Sequence, residues 1–191
     1  MKTYLKLVLI LGMVLLVLSC ASKKDSRSTA SSDLQPAEWR YEKDAIRLVF
    51  KADPKLNFRD GVPHTLHLCI YQLRDPNAFN QLAADQEGLY LLLGCSTFDA
   101  SVTSFKGESI QPGQDLTMTL DRAEGSKYVG IAAGYYQIER ERIIRFVEIP
   151  IEVKSKGLLG WTKYAVPGVL NLDITLGPQQ IEKVEAIHDQ K

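Results

Sequence analysis

The chain has 191 residues, with 23 basic and 23 acidic side chains and 45% hydrophobic residues. That balance leaves no electrostatic case for nucleic acid, or for an acidic membrane surface, as a partner of the chain as a whole. Once an N-terminal leader is set aside, about 170 residues remain, enough for one domain with a sizeable core.

Met1, Lys2 and Lys6 form a short basic start, and Leu7 to Leu18 is an apolar run interrupted only by Gly12. About 20 apolar residues are needed to span a bilayer, so this run suits the hydrophobic region of a secretory signal instead. Val17-Leu18-Ser19-Cys20 resembles the lipobox of bacterial lipoproteins, in which the cysteine is acylated and becomes the mature N-terminus. On that likeness residues 1–19 are a signal peptide and Cys20 is a lipid anchor. The alternative is an ordinary secretory signal with a cysteine at its boundary. One acyl chain gives only marginal, reversible binding; the several chains of such lipoproteins make attachment effectively permanent. Ala21 stands where aspartate usually signals inner-membrane retention, which points to the outer membrane with the domain facing the periplasm.

From Ser22 to about Asp44 the chain is rich in Ser, Lys, Asp and Ala and has no apolar periodicity before Trp39 and Tyr41. Residues 20–44 therefore read as the lipidated cysteine and a flexible tether, with a reach on the order of 25 Å. Beyond it the apolar pattern mostly has period two. Ala45–Lys51 alternates through Ile46, Leu48 and Phe50, and Thr65–Leu73 sends Leu66, Leu68 and Ile70 to one face and His67, Cys69 and Tyr71 to the other. Asp75-Pro76 has the form of a helix start, and Phe79, Leu82 and Ala83 follow at helical spacing. Gly88 interrupts before Leu89–Leu93 resumes, so one or two short helices after the second strand are expected over its Cys69 face. Leu116, Met118 and Leu120 alternate after Pro112-Gly113, and Tyr128–Tyr136 is apolar on both faces, as a central strand would be. Ile143–Val153 and Val169–Leu176 complete the pattern, the latter as the last strand. The fold class is mainly β, an antiparallel sandwich spanning residues 45–181 with a polar tail at 182–191.

Chemistry is sparse. No Gly-x-Ser-x-Gly elbow and no phosphate loop is present, so no catalytic residue and no cofactor is assigned. Glu139-Arg140-Glu141-Arg142 reads as a solvated loop. With Cys20 spent on lipid, Cys69 and Cys95 remain as an even pair in a compartment where disulfides persist. They form either a bridge or two buried thiols. His67, Cys69 and Cys95 could also supply three zinc ligands, but a disulfide explains the cysteines more readily, so no metal is assigned.

The order of features narrows the family. A lipobox and polar tether precede "DPKLNFRDGVPHTLHLCIYQLRDPNAF", "LYLLLGCSTFDASV" and "IQPGQDLTMTLDRAEGSKYVGIAAGYY", with a terminal strand after them. From about Ala45 to Ile181 this resembles the TssJ (VasD, SciN) lipoproteins of type VI secretion, through Leu56-Asn57, Tyr71-Gln72-Leu73, Pro112-Gly113 and Tyr128-Val129-Gly130. The resemblance implies a transthyretin-like β-sandwich and no enzymatic activity. It also implies a role as the outer-membrane bracket that binds the periplasmic C-terminal region of TssM (IcmF-like), with TssL in the same complex. In that family the loop between the first two strands is a principal TssM contact. Carried over, this makes Leu56, Asn57, Phe58, Arg59 and Asp60 the partner-binding candidates. Family members commonly have proline where Phe58 stands.

A second segment is singled out on composition alone. Lys156–Gly168 is unusually apolar for a connection, which makes Leu159, Trp161 and Tyr164 candidate contacts with TssM, a neighbouring copy or lipid. The alternative is that Leu159 and Trp161 fold back to close one end of the sandwich. The rival function is a periplasm-facing lipoprotein that binds sugar or peptide, for which Tyr135, Tyr136 and Trp161 would have to supply an aromatic groove.

Overall fold

A computed structural model describes Leu34, residues 36–157 and residues 162–187. In chain order the elements are β1 (Glu42–Ala52), β2 (Leu66–Leu73), α1 (Asn77–Leu82), α2 (Gln86–Leu93), β3 (Val102–Ile110), β4 (Asp115–Arg122), β5 (Tyr128–Ala133), α3 (Arg140–Ile143), β6 (Ile144–Glu148), β7 (Ile151–Lys156), β8 (Thr162–Pro167), β9 (Leu170–Leu176) and β10 (Ile181–Ala186). Period-two alternation gives each long strand one apolar face, and two such faces close a core between them. The first sheet has the order β10-β9-β1-β4 and the second β3-β2-β5-β6. Ile46, Leu48, Phe50, Leu172 and Ile174 from the first meet Leu66, Leu68, Ile70 and Ile131 from the second in one buried cluster. Strands β7 and β8 form a separate two-stranded hairpin.

The mainly β sandwich with short helices after the second strand is therefore observed, with several differences from the sequence reading. One sheet contact is parallel, β1 against β9, while the other pairings are antiparallel. The alternating run Ile143–Val153 is not one strand, because it divides at Ile149-Pro150 into β6 and β7. Ile149 is buried and donates its N–H to the Lys127 carbonyl, and Pro150, lacking an N–H, ends the ladder. Residues 140–142, expected in a loop, and Ile143, expected to begin a strand, form the single turn α3. Three strands were not legible, β3, β8 and β10: Thr162–Pro167 is a strand where a connection was expected, and residues 182–186, expected in a polar tail, continue a strand that begins at Ile181. An edge strand covered on one side needs few apolar residues, and β10 buries only Ile181 fully.

The helical insertion sits on the outer face of the second sheet. Asp85 caps α2 by accepting the Gly88 N–H at 2.8 Å. Gly88 itself is required, because a Cβ there would lie 2.0 Å from the Leu82 carbonyl oxygen of α1. The side chain of Phe79 lies across Gly130 of β5 and meets Tyr71 edge-on at 6.0 Å between ring centroids. Tyr71 donates its hydroxyl to the Leu92 carbonyl at 2.7 Å. Cys69 of β2 is bonded to Cys95, just past α2, with Cα atoms 5.3 Å apart. The helices are thereby stapled to the sheet, and the alternative of two free thiols is set aside.

The disulfide closes a loop with a sequence separation of 26, which in the chain-entropy account contributes roughly 3.5 kcal/mol. The double variant Cys69→Ser/Cys95→Ser is expected to lose about that much stability, read as a lower urea midpoint with the strand content unchanged by circular dichroism.

Candidate partner-binding pole

The connection from β1 to β2 is held from both ends. Asp53 donates its N–H to the Leu176 carbonyl at 2.8 Å and accepts from Gly113 at 3.1 Å, while its carboxylate accepts the Lys55 N–H at 2.6 Å. Arg59 and Val62 exchange backbone hydrogen bonds of 2.9 and 3.0 Å across Asp60-Gly61. Both central residues have positive φ, 52° and 83°, the requirement of the tight hairpin turn that Asp-Gly favours. Asn57, with φ 47°, donates Nδ2 to the Thr65 carbonyl at 3.3 Å and accepts the Tyr136 N–H on Oδ1 at 3.0 Å. Phe58 donates its N–H to the Pro178 carbonyl at 2.7 Å.

These bonds tie together three connections: 53–65, the one after β5, and the turn between β9 and β10. Asn57, Phe58, Tyr136, Gln137, Pro178 and Gln179 line one shallow cleft. The Arg59 guanidinium lies over the Tyr136 ring, its Cζ 3.6 Å from the centroid, and Arg59 also pairs with Asp60 at 3.0 Å. Tyr136 is 60% exposed and Val62 50% exposed, so this pole presents a stacked Arg–Tyr pair beside an aliphatic side chain.

The five candidates of the first loop separate on inspection. Asn57 and Phe58 are half-buried at the cleft, and Arg59 and Asp60 are exposed. Leu56 is a correction: it is fully buried and belongs to the core cluster, so its side chain caps the sandwich and offers no contact surface. Tyr136 was missed as a candidate because it follows an apolar strand by only a few residues; its proximity to Asn57 depends on a pairing across 79 positions.

At the other end of β1 the chain enters the domain. Tyr41 donates its hydroxyl to Asp121 at 2.5 Å, Asp44 donates its N–H to the same carboxylate at 2.9 Å, and Trp39 accepts the Gly125 N–H at 2.7 Å. The Arg122 side chain, only 2% exposed, pairs with Glu42 at 2.6 Å and donates to the Gly168 and Arg40 carbonyls at 3.2 and 3.4 Å. Residues 39–44, expected in the flexible tether, are thus strapped to the end of β4, and β1 already begins at Glu42. Eleven residues of β1 at roughly 3.3 Å each put the two poles about 35 Å apart.

Of the second segment, Tyr164 lies in β8 and is half-buried. Leu159 and Trp161 lie outside the described residues, as does Cys20. His67, Cys69 and Cys95 bring their ligand atoms within 4.8 Å of one another. Both sulfurs are spent in the disulfide, and zinc takes thiolate, so the trio does not fit a metal. Among the described residues no helix is long and apolar enough to cross a membrane.

Residues 44–166 match the model of the type VI secretion lipoprotein family (VasD, EvfM, TssJ, VC_A0113). The chain belongs to this family. No curated protein matches it in direct sequence comparison. Among solved structures it is similar to the T6SS lipoprotein TssJ1 from Pseudomonas aeruginosa, with 22% identity, TM-score 0.54, and 79% of this chain and 98% of that one covered. Serratia marcescens Lip, a membrane-bound component of the type VI secretion system, gives 18% identity and TM-score 0.53 over 76% of this chain and 98% of that one. A chain in the structure of the TssM C-terminal domain (869–1107) from EAEC gives 17% identity and TM-score 0.52, covering 75% and 97%. These likenesses establish the family's mainly β fold for this member.

The strap at the entry pole is acid-sensitive. The Tyr41 hydroxyl and the Asp44 N–H hold the Asp121 carboxyl below its ordinary value of 3.8. A depressed carboxyl contributes stability that is present above its ordinary value and lost as pH falls through the folded one. The Asp44 amide is therefore expected to lose hydrogen-exchange protection below about pH 3.8, and Asp121→Asn should expose Arg40 and Lys43 to trypsin at neutral pH.

Proposed function

We propose that this chain is the outer-membrane lipoprotein of a type VI secretion membrane complex. In this reading acylated Cys20 holds it in the outer membrane, with the domain facing the periplasm. The 53–63 loop grips the periplasmic C-terminal region of TssM, in an assembly that includes TssL. The chain acts as a bracket and carries out no catalysis. Membership of the family supports the system, and the similarity to a chain from the TssM C-terminal domain structure supports the partner.

The observation that carries the reading is the polarity of the domain. The entering chain and the Asn57–Asp60 loop lie at opposite ends of β1, so a domain tethered at one end presents the other away from the lipid. The loop is also suited to binding. Its Asp-Gly turn, its Asn57 bonds and its stacked Arg59 are ordered before any partner arrives, which lowers the entropic cost of association. Arg and Tyr are the side chains that most often dominate binding energy when an interface desolvates them.

The test is capture of the soluble chain, from Ala21 onward, by the TssM periplasmic region of the same genome. Arg59→Ala and Tyr136→Ala are each expected to weaken binding about 30-fold, the scale of a 2 kcal/mol contact. Leu56→Ala should act differently, costing about 2–5 kcal/mol of folding stability. Full-strength binding by an Arg59→Ala/Tyr136→Ala double variant would remove this pole from the interface. Cys20→Ser is expected to leave capture intact while releasing the protein from the membrane fraction.

A further inference from the structure

The hairpin β7–β8 stands apart from both sheets. All six residues of β7 are exposed, Ile151 at 52% and Val153 at 57%. Its base is at the entry pole, where Gly168 donates to Pro150 at 2.7 Å and accepts from Arg122. Pro36, Glu38 and Arg40 of the entering chain line a cleft with Tyr164, Ala165 and Val166 of β8, so the tether and the hairpin leave the sandwich together. Six residues per strand project the hairpin by about 20 Å.

Charge along the hairpin is uneven. Glu152 lies near the base, 3.8 Å from Lys154, but residues 154–163 carry Lys154, Lys156 and Lys163 and no carboxylate. In the register Ser155 faces Lys163 and Lys156 faces Thr162, which gathers Lys156 and Lys163 at the outer end. The chain that leads back toward Cys20 is nearly balanced, with Lys23, Lys24, Arg27 and Arg40 against Asp25, Asp33 and Glu38, so the excess of positive charge belongs to the hairpin. A chain of zero net charge thus concentrates positive charge on the element beside its tether.

We infer that the β7–β8 hairpin is a second membrane contact, meeting anionic phospholipid headgroups with its outer end, where Lys154 and Lys156 stand on one face and Lys163 on the other. This rests on reading Cys20 as the lipid anchor, which places the entry pole at the bilayer. Lysine near an anionic surface gains about fivefold in partitioning, so three give on the order of a hundredfold. Acting beside a tether, that modest affinity orients the domain without having to hold it there.

The test uses the mature chain from residue 20 with Cys20→Ser, so that no acyl chain contributes. It is sedimented with vesicles of phosphatidylethanolamine and phosphatidylglycerol, and with phosphatidylcholine alone. Binding to the anionic vesicles alone is expected, falling roughly a hundredfold in Lys154→Gln/Lys156→Gln/Lys163→Gln and falling in 0.5 M salt for the unmodified hairpin. Equal binding by the triple variant, or indifference to lipid charge, would overturn the proposal. The triple variant should still be captured by the TssM periplasmic region. Failure of acylation at Cys20, read by palmitate labelling, would overturn the anchor separately.

Discussion

One strand sets the organisation of this domain. Strand β1 pairs with β4 on one side and β9 on the other, so it cannot move without breaking two ladders. Its alternation commits Ile46, Leu48 and Phe50 to the core, and a slip of one residue would turn all three to solvent and bring Arg47 and Lys51 inside. Register is therefore fixed, and with it the separation of the two ends. The strap to Asp121 and Arg122 and the turn at Asp53 are the places where that rigid strand hands over to functional segments.

The far pole shows how a loop can be ordered without being buried. Asn57 has no large apolar group to pack, yet its side chain donates to one connection and accepts from another. Leu56, next to it, supplies the burial. Anchor and display are thus divided between adjacent residues: one side chain goes into the core, the next bridges neighbouring connections, and the following ones are held outward at the Asp60-Gly61 turn. The Arg59–Tyr136 stack costs little desolvation while free and offers a planar, amphipathic surface to a partner.

How much of this was legible follows from which signals are local. The interior strands carry alternation or continuous apolar character because both their neighbours and their faces demand it, so β1, β2, β5 and β9 stood out, as did β4 at the edge of the first sheet through Leu116, Met118 and Leu120. The edge strands β3 and β10 did not, since an edge can be largely polar. The division of 143–153 was overlooked because alternation runs straight through Pro150, and only the missing N–H breaks it. Within the site, Asp60-Gly61 and the cysteine pair were visible as residue types, and the family resemblance directed attention to the loop. Sequence could not separate Leu56 from Phe58, since both are apolar and their burial depends on how the loop closes. Tyr136 reaches the loop only through sheet pairing, which leaves no trace in local spacing.

Whole-chain charge proved the least informative number. Twenty-three charges of each sign argue against a uniformly basic protein, but electrostatic attraction decays over roughly 10 Å at moderate salt, much less than the distance between the poles. What a membrane feels is the charge within that range of its surface. On the reading of Cys20 as the anchor, lysines at the end of a projecting hairpin meet that condition, whereas Glu42 and Asp121 of the same pole are paired with Arg122 and Tyr41 against the sandwich. On the anchor reading, a flexible tether would restrain distance and leave orientation free, so any fixed presentation of the far pole would have to come from rigid contacts such as the strap and the hairpin. Neutrality of the whole and polarity of the parts are compatible, and the second is what a bracket between a surface and a partner requires.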